Sequence, residues 1–79
     1  MLGQEKRTGL KYRDLHRGRS VEFEGRRAVL VNIAKDGPGV VRLDLAASED
    51  SQPYLTLYGR YEHRGAGREF VETDPRGYW

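Results

Sequence analysis

Val21-Glu22-Phe23-Glu24-Gly25-Arg26-Arg27-Ala28-Val29-Leu30-Val31-Asn32-Ile33-Ala34-Lys35-Asp36-Gly37-Pro38-Gly39-Val40-Val41-Arg42-Leu43-Asp44-Leu45 carries the architecture of this chain. Val21 and Phe23 alternate with Glu22 and Glu24. Val29, Val31 and Ile33 repeat at period two after Gly25, and Val41, Leu43 and Leu45 do so after Asp36-Gly37-Pro38-Gly39. Apolar residues at every second position place one face of each segment on a core and leave the other wet. In this register Val31 and Leu43 both face inward. Ala28 and Leu30 make the second face of Arg27–Lys35 apolar as well, which marks it as a central strand covered on both sides.

Outward from that stretch the same signals continue. Glu24-Gly25-Arg26 reads as a tight connection, and Asp36-Gly37-Pro38-Gly39 as a hairpin turn in which proline fixes one angle and glycine permits the others. Ala47–Pro53 is a polar loop. Tyr54–His63 resumes the alternation, with Leu55, Leu57 and Tyr61 on one face and Tyr54, Thr56, Tyr58 and Arg60 on the other. Gly59 interrupts it, as at a bulge or a barrel corner. Arg64-Gly65-Ala66-Gly67 forms a second hairpin tip, and Arg68–Glu72 follows with Phe70 inward. Upstream, residues 1–9 read as an arm, and Leu10–Leu15 as one helical turn with Thr8 as a candidate N-cap, or as a short strand.

Five short strands joined by glycine turns predict an all-β fold: a small, strongly bent antiparallel barrel. Residues 1–13 are expected to be a flexible basic arm and residues 14–79 the single barrel domain. Asp14-Leu15, then Gly18, then Val21-Glu22-Phe23 resembles the lead-in of small barrels of the Src-homology and KOW type. The likeness covers the strand pattern of residues 14–72 and implies fold without a binding motif. The OB barrel competes, but it calls for longer strands and a helix.

Seventy-nine residues make one domain with a thin core, and at this size only about 60% of the unfolded surface is hidden on folding. No cysteine is present to add a disulfide or a thiolate metal site. No apolar run reaches the ~18 residues of a membrane span, and the N-terminus lacks the apolar stretch of a signal peptide. A cytoplasmic protein of bacterial or phage type is expected.

The chemistry of the residues points away from catalysis. Ser20, Ser48 and Ser51 stand in no nucleophile context, and Gly65-Ala66-Gly67 lacks the lysine and the helix of a phosphate loop. His16 and His63 are far apart and flanked by arginine, so neither a metal site nor a cofactor is expected. Glu49-Asp50 is an acidic pair on a loop. Charge is uneven instead: residues 1–27 hold eight bases against four acids, a surplus of four, while the rest hold six against eight. Eleven of the fourteen bases are arginine, whose planar fork suits phosphates and stacks on bases.

The expectation is therefore a non-enzymatic binding module, a small nucleic-acid-binding accessory or regulatory protein. Arg13, Arg17, Arg19, Arg26 and Arg27 would hold phosphates, and Tyr54, Tyr58 and Arg60 would present rings and a cation to bases. The competing role for these tyrosines is to cover a second small core. The alternative function is a protein-interaction module, an inhibitor or adaptor of phage or mobile-element type, using a sheet edge or the terminal Tyr78-Trp79. A self-assembling homo-oligomeric subunit is the third possibility, since a thin core favours association.

Overall fold

Alternation, once laid out in space, gives six strands rather than five. In the computed structural model, which describes residues 6–73, these are β1 (Lys6–Lys11), β2 (Ser20–Phe23), β3 (Arg26–Lys35), β4 (Val41–Ala46), β5 (Pro53–Arg64) and β6 (Gly67–Glu72). They form one antiparallel sheet in the order β1-β6-β5-β4-β3-β2, curled into a nearly closed barrel. A single 3-10 turn, Tyr12–Asp14, is the only helix among the described residues.

The sixth strand comes from the segment expected to be an arm. Four steps along β1, from Arg7 to Lys11, match two along β6, from Val71 to Glu69, so β1 bulges. The bulge is held from β6. Arg7 donates to Glu69 Oε1 at 3.0 Å, and the Gly9 amide donates to Glu69 Oε2 at 3.1 Å. Thr8 is no helix cap: its hydroxyl donates to the Phe70 carbonyl at 2.6 Å and accepts from the Leu10 amide at 3.1 Å. Isolated polarity misses such a strand, because its apolar content is Leu10 alone and its pairing is bought by a partner distant in sequence.

The register of β3 also departs from the expected alternation. Leu30 pairs with Leu45 and Asn32 with Asp44, so Val31 is an extra residue in a β-bulge. The phase flips there. Ala28 and Leu30 point into the core before the bulge, and Ile33 does so after it. Val29 and Val31 are only half-buried, contrary to the inward placement their spacing predicts. Leu43, Leu45, Leu57, Phe70 and Leu30 are the fully buried centre, with Leu10, Leu15, Val21 and Phe23 around them.

Two backbone features shape the barrel. The β2–β3 turn has Glu24 at φ 52° and Gly25 at φ 79° between paired Phe23 and Arg26, the two positive angles of a type I′ hairpin. At Gly59, β5 passes from β4, which it pairs from Pro53 to Gly59, to β6, which it pairs from Gly59 to Arg64. A Cβ at Gly59 would run into the Val71 carbonyl and come within 2.8 Å of the Phe70 ring. The ladder continues through it without a bulge, so glycine is there for close approach. Between β1 and β2 there is no ladder, and the seam is spanned by an ion pair, Lys6 Nζ to Glu24 Oε2 at 3.1 Å.

Leu43→Ala is expected to cost about 2–5 kcal/mol in chemical denaturation, whereas Val31→Ala, at the half-buried bulge, should cost about 1 kcal/mol or less. Equal losses would place Val31 in the core and remove the bulge.

Candidate functional site

Lys11-Tyr12-Arg13 ends β1 and begins the 3-10 turn, and the β5–β6 hairpin folds over against it. Together they line an open cleft of about 550 Å³ whose walls carry Lys11, Tyr12, Arg13, His63, Arg64 and Arg68. The Arg68 guanidinium lies 3.9 Å from the Tyr12 ring centroid. The Tyr12 ring meets Tyr61 edge-on at 4.7 Å, and Tyr61 meets Phe70 at 6.1 Å. The cleft is therefore floored by an aromatic ladder that rises from the core. Burial pushes the Tyr61 phenol above its ordinary pKa, helped by Tyr12 and opposed by Arg68.

Glu69 is the acid lining this cleft, and its charge is already committed. It is buried and carries the Arg7 and Gly9 hydrogen bonds of the β1 bulge. The Arg7 hydrogen bond holds its carboxyl below the usual carboxylate range against the cost of burial, with the Gly9 amide and the charges of Arg7 and Arg64 adding to it. Arg7 is raised in turn by the same bond. Arg64 also reaches Glu62 at 3.3 Å, a carboxylate shared with Arg60. Lys11, Arg13 and Arg68 remain as exposed cations around an exposed tyrosine. Such a cleft attracts an anion bearing a flat ring.

The residues expected to form one binding surface are distributed over four places. Arg13 alone enters the cleft. Arg19 and Arg27 are exposed along the β1–β2 seam, a groove of about 380 Å³ that also holds Lys11, Asp14 and Glu22; Glu22 sits directly across from Arg27. Arg26 stacks over Tyr54 at 4.6 Å at the other end of β5. Tyr58 is half-buried opposite Arg42, and Arg60 pairs with Glu62.

Arg17 points to Asn32 at 3.4 Å, the start of a polar chain over the outer face of β3, β4 and β5. There Asp44 accepts from Asn32 at 3.2 Å and from Thr56 at 2.8 Å, with Arg42 Nε at 3.6 Å. On that face Asp44 is offset by Arg42, and the Arg17 guanidinium is turned onto the Asn32 amide. Tyr78 and Trp79 lie outside the described residues.

His16 Nε2 is 3.0 Å from the Arg13 carbonyl oxygen, while His63 borders the cleft. Among the described residues no three of His, Cys, Asp and Glu gather as a metal site requires, and no helix is long and apolar enough to cross a membrane. Tyr12 and Arg68 are the residues that reading the sequence passes over. The local signal was there, since Tyr12 stands between Lys11 and Arg13. Its meeting with Arg68 depends on β1 pairing with β6.

Comparison with known protein families, with curated proteins and with solved structures finds no match to this chain.

Because folding lowers the Glu69 pKa, its ionised form stabilises the fold fully above the ordinary carboxylate range, and that contribution is lost as pH falls through the lowered native value. The gap in stability between the parent and Glu69→Gln is expected to be widest near neutral pH and to narrow below about pH 4. Urea titrations across pH measure it, and a gap constant down to about pH 3 would mean that Glu69 stabilises by packing alone.

Proposed function

We propose that this protein is a non-enzymatic module that binds single-stranded nucleic acid through the cleft between Lys11–Arg13 and the β5–β6 hairpin. The observation that carries the reading is the exposed Tyr12 ring, 42% accessible, with Arg68 stacked on it and Lys11 and Arg13 on either side in sequence. Single strands are held by rings that stack on bases and cations that follow the backbone. Among the described residues the only acid lining the cleft, Glu69, is paired within the fold with Arg7, so it offers little repulsion to a phosphate. Likeness to Src-homology and KOW barrels supports a small-barrel binding role in general and assigns no residue. A regulatory or accessory role inside the cell is part of this reading.

A second reading draws on the open seam. β1 and β2 are the two edges of the sheet order, and an extended peptide adding a strand there would make this an interaction module. Its mixed charges, with Asp14 and Glu22 beside Arg19 and Arg27, suit a peptide better than a phosphate backbone.

Fluorescence anisotropy of a labelled mixed-sequence single strand separates the two. The logarithm of the affinity is expected to fall linearly with log salt, and Arg13→Glu should weaken binding and flatten that slope by about one phosphate contact or more. Lys35→Glu, an exposed change on the β3–β4 hairpin, should leave the cleft's binding largely intact. No binding at micromolar protein in low salt, or identical curves for Arg13→Glu and the parent, would transfer the assignment to the seam.

A further inference from the structure

Tyr12 and Tyr54 are the two large hydrophobic residues left exposed by the described fold, at 42% and 43%. Each carries an arginine over its ring, Arg68 at 3.9 Å and Arg26 at 4.6 Å. A lone exposed apolar side chain needs no explanation. The same two-residue device at two separate places does, because each ring is exposed at a cost in solubility and each is dressed with the cation that suits a nucleotide.

Their spacing is set by one strand. Tyr61, which touches Tyr12, lies near the end of β5, and Tyr54 lies near its beginning, seven positions earlier. At the rise of an extended strand the seven positions from Tyr54 to Tyr61 span about 23 Å along β5. The surroundings of the second pair favour an anion as well. Arg26 follows the β2–β3 turn, in which Glu24 is held by Lys6 at 3.1 Å, while the next residue, Arg27, faces the seam opposite Glu22.

We propose that Arg26 and Tyr54 form a second stacking subsite for the same single strand that occupies the Tyr12 cleft, so that one strand is gripped at both ends of β5. The proposal rests on the cleft being a nucleic-acid site. A ring with a guanidinium over it accepts any base, so both subsites are sequence-tolerant. Neither need bind tightly. Once a strand is long enough to reach both, the second contact forms at the effective concentration set by the intervening nucleotides, and affinity rises without any new chemistry.

Oligothymidylates from about 4 to about 16 nucleotides, the range of site sizes for small single-strand-binding domains, provide the test with the full chain. Affinity is expected to step upward at the length that spans both pairs, with one strand bound per protein. Tyr54→Ala should abolish the step and leave the shortest oligonucleotides bound as before. Tyr12→Ala should weaken every length by about five- to hundredfold. Arg26→Gln keeps the ring and removes the cation; it should also lower the step, which keeps the test decisive if Tyr54→Ala fails to fold.

Affinity without a step, a step unchanged by these variants, or two strands bound per protein would overturn the second subsite while leaving the cleft intact. Failure of every length to bind would overturn the cleft and the subsite together.

Discussion

The backbone of Gly59 lies against the Val71 carbonyl, and the rest of the molecule is arranged around that approach. β5 spends its first half beside β4 and its second half beside β6, and the handover occurs at this residue. A side chain there would collide with Val71 and Phe70. With glycine, β6 lies close enough to seat Phe70 in the core, where it is fully buried among Leu30, Leu43, Leu45 and Leu57. A domain with so few apolar residues has no second set of contacts to replace these.

From β6 the dependence runs outward through Glu69. Its carboxylate takes one hydrogen bond from Arg7 and one from the Gly9 amide, and so fixes a strand that has only Leu10 to bury. Burying an acid is costly unless it is paired and hydrogen-bonded, and here both conditions are met. β1 then delivers Lys11, Tyr12 and Arg13 to the mouth formed by the β5–β6 hairpin. The candidate cleft is thus a consequence of strand pairing between the two ends of the chain.

Arginine abundance is a poor guide to where an anion would bind on this surface. Arg60 and Arg64 share Glu62, Arg42 lies beside Asp44, Arg17 ties to Asn32, and Arg7 is occupied by Glu69. Arg7 with Glu69 and Arg42 with Asp44 cancel at a distance, Glu62 offsets one of its two arginines, and the exposed pairs among these add little to stability. Of the other exposed cations, Arg19 and Arg27 share the seam with Asp14 and Glu22, whereas Lys11, Arg13 and Arg68 gather where a tyrosine is exposed. Net charge near zero and a locally basic cleft are therefore compatible.

Period-two alternation, together with glycine and proline at the turns, was sufficient to place β2 through β6 within a residue or two, because strand faces and tight turns are local properties of the chain. It identified Leu43, Leu45, Leu57 and Phe70 as core for the same reason. Three things lay beyond it. The bulge at Val31 reverses the inward face of β3, since Ala28 and Leu30 are as apolar as Val29 and Val31 and only the pairing with β4 chooses between them. The strand β1 exists because Glu69 and Phe70, some sixty residues away, supply its partners. The meeting of Tyr12 with Arg68, and the separation of Arg26 and Tyr54 from both, follow from the curl of the sheet, which no local pattern encodes.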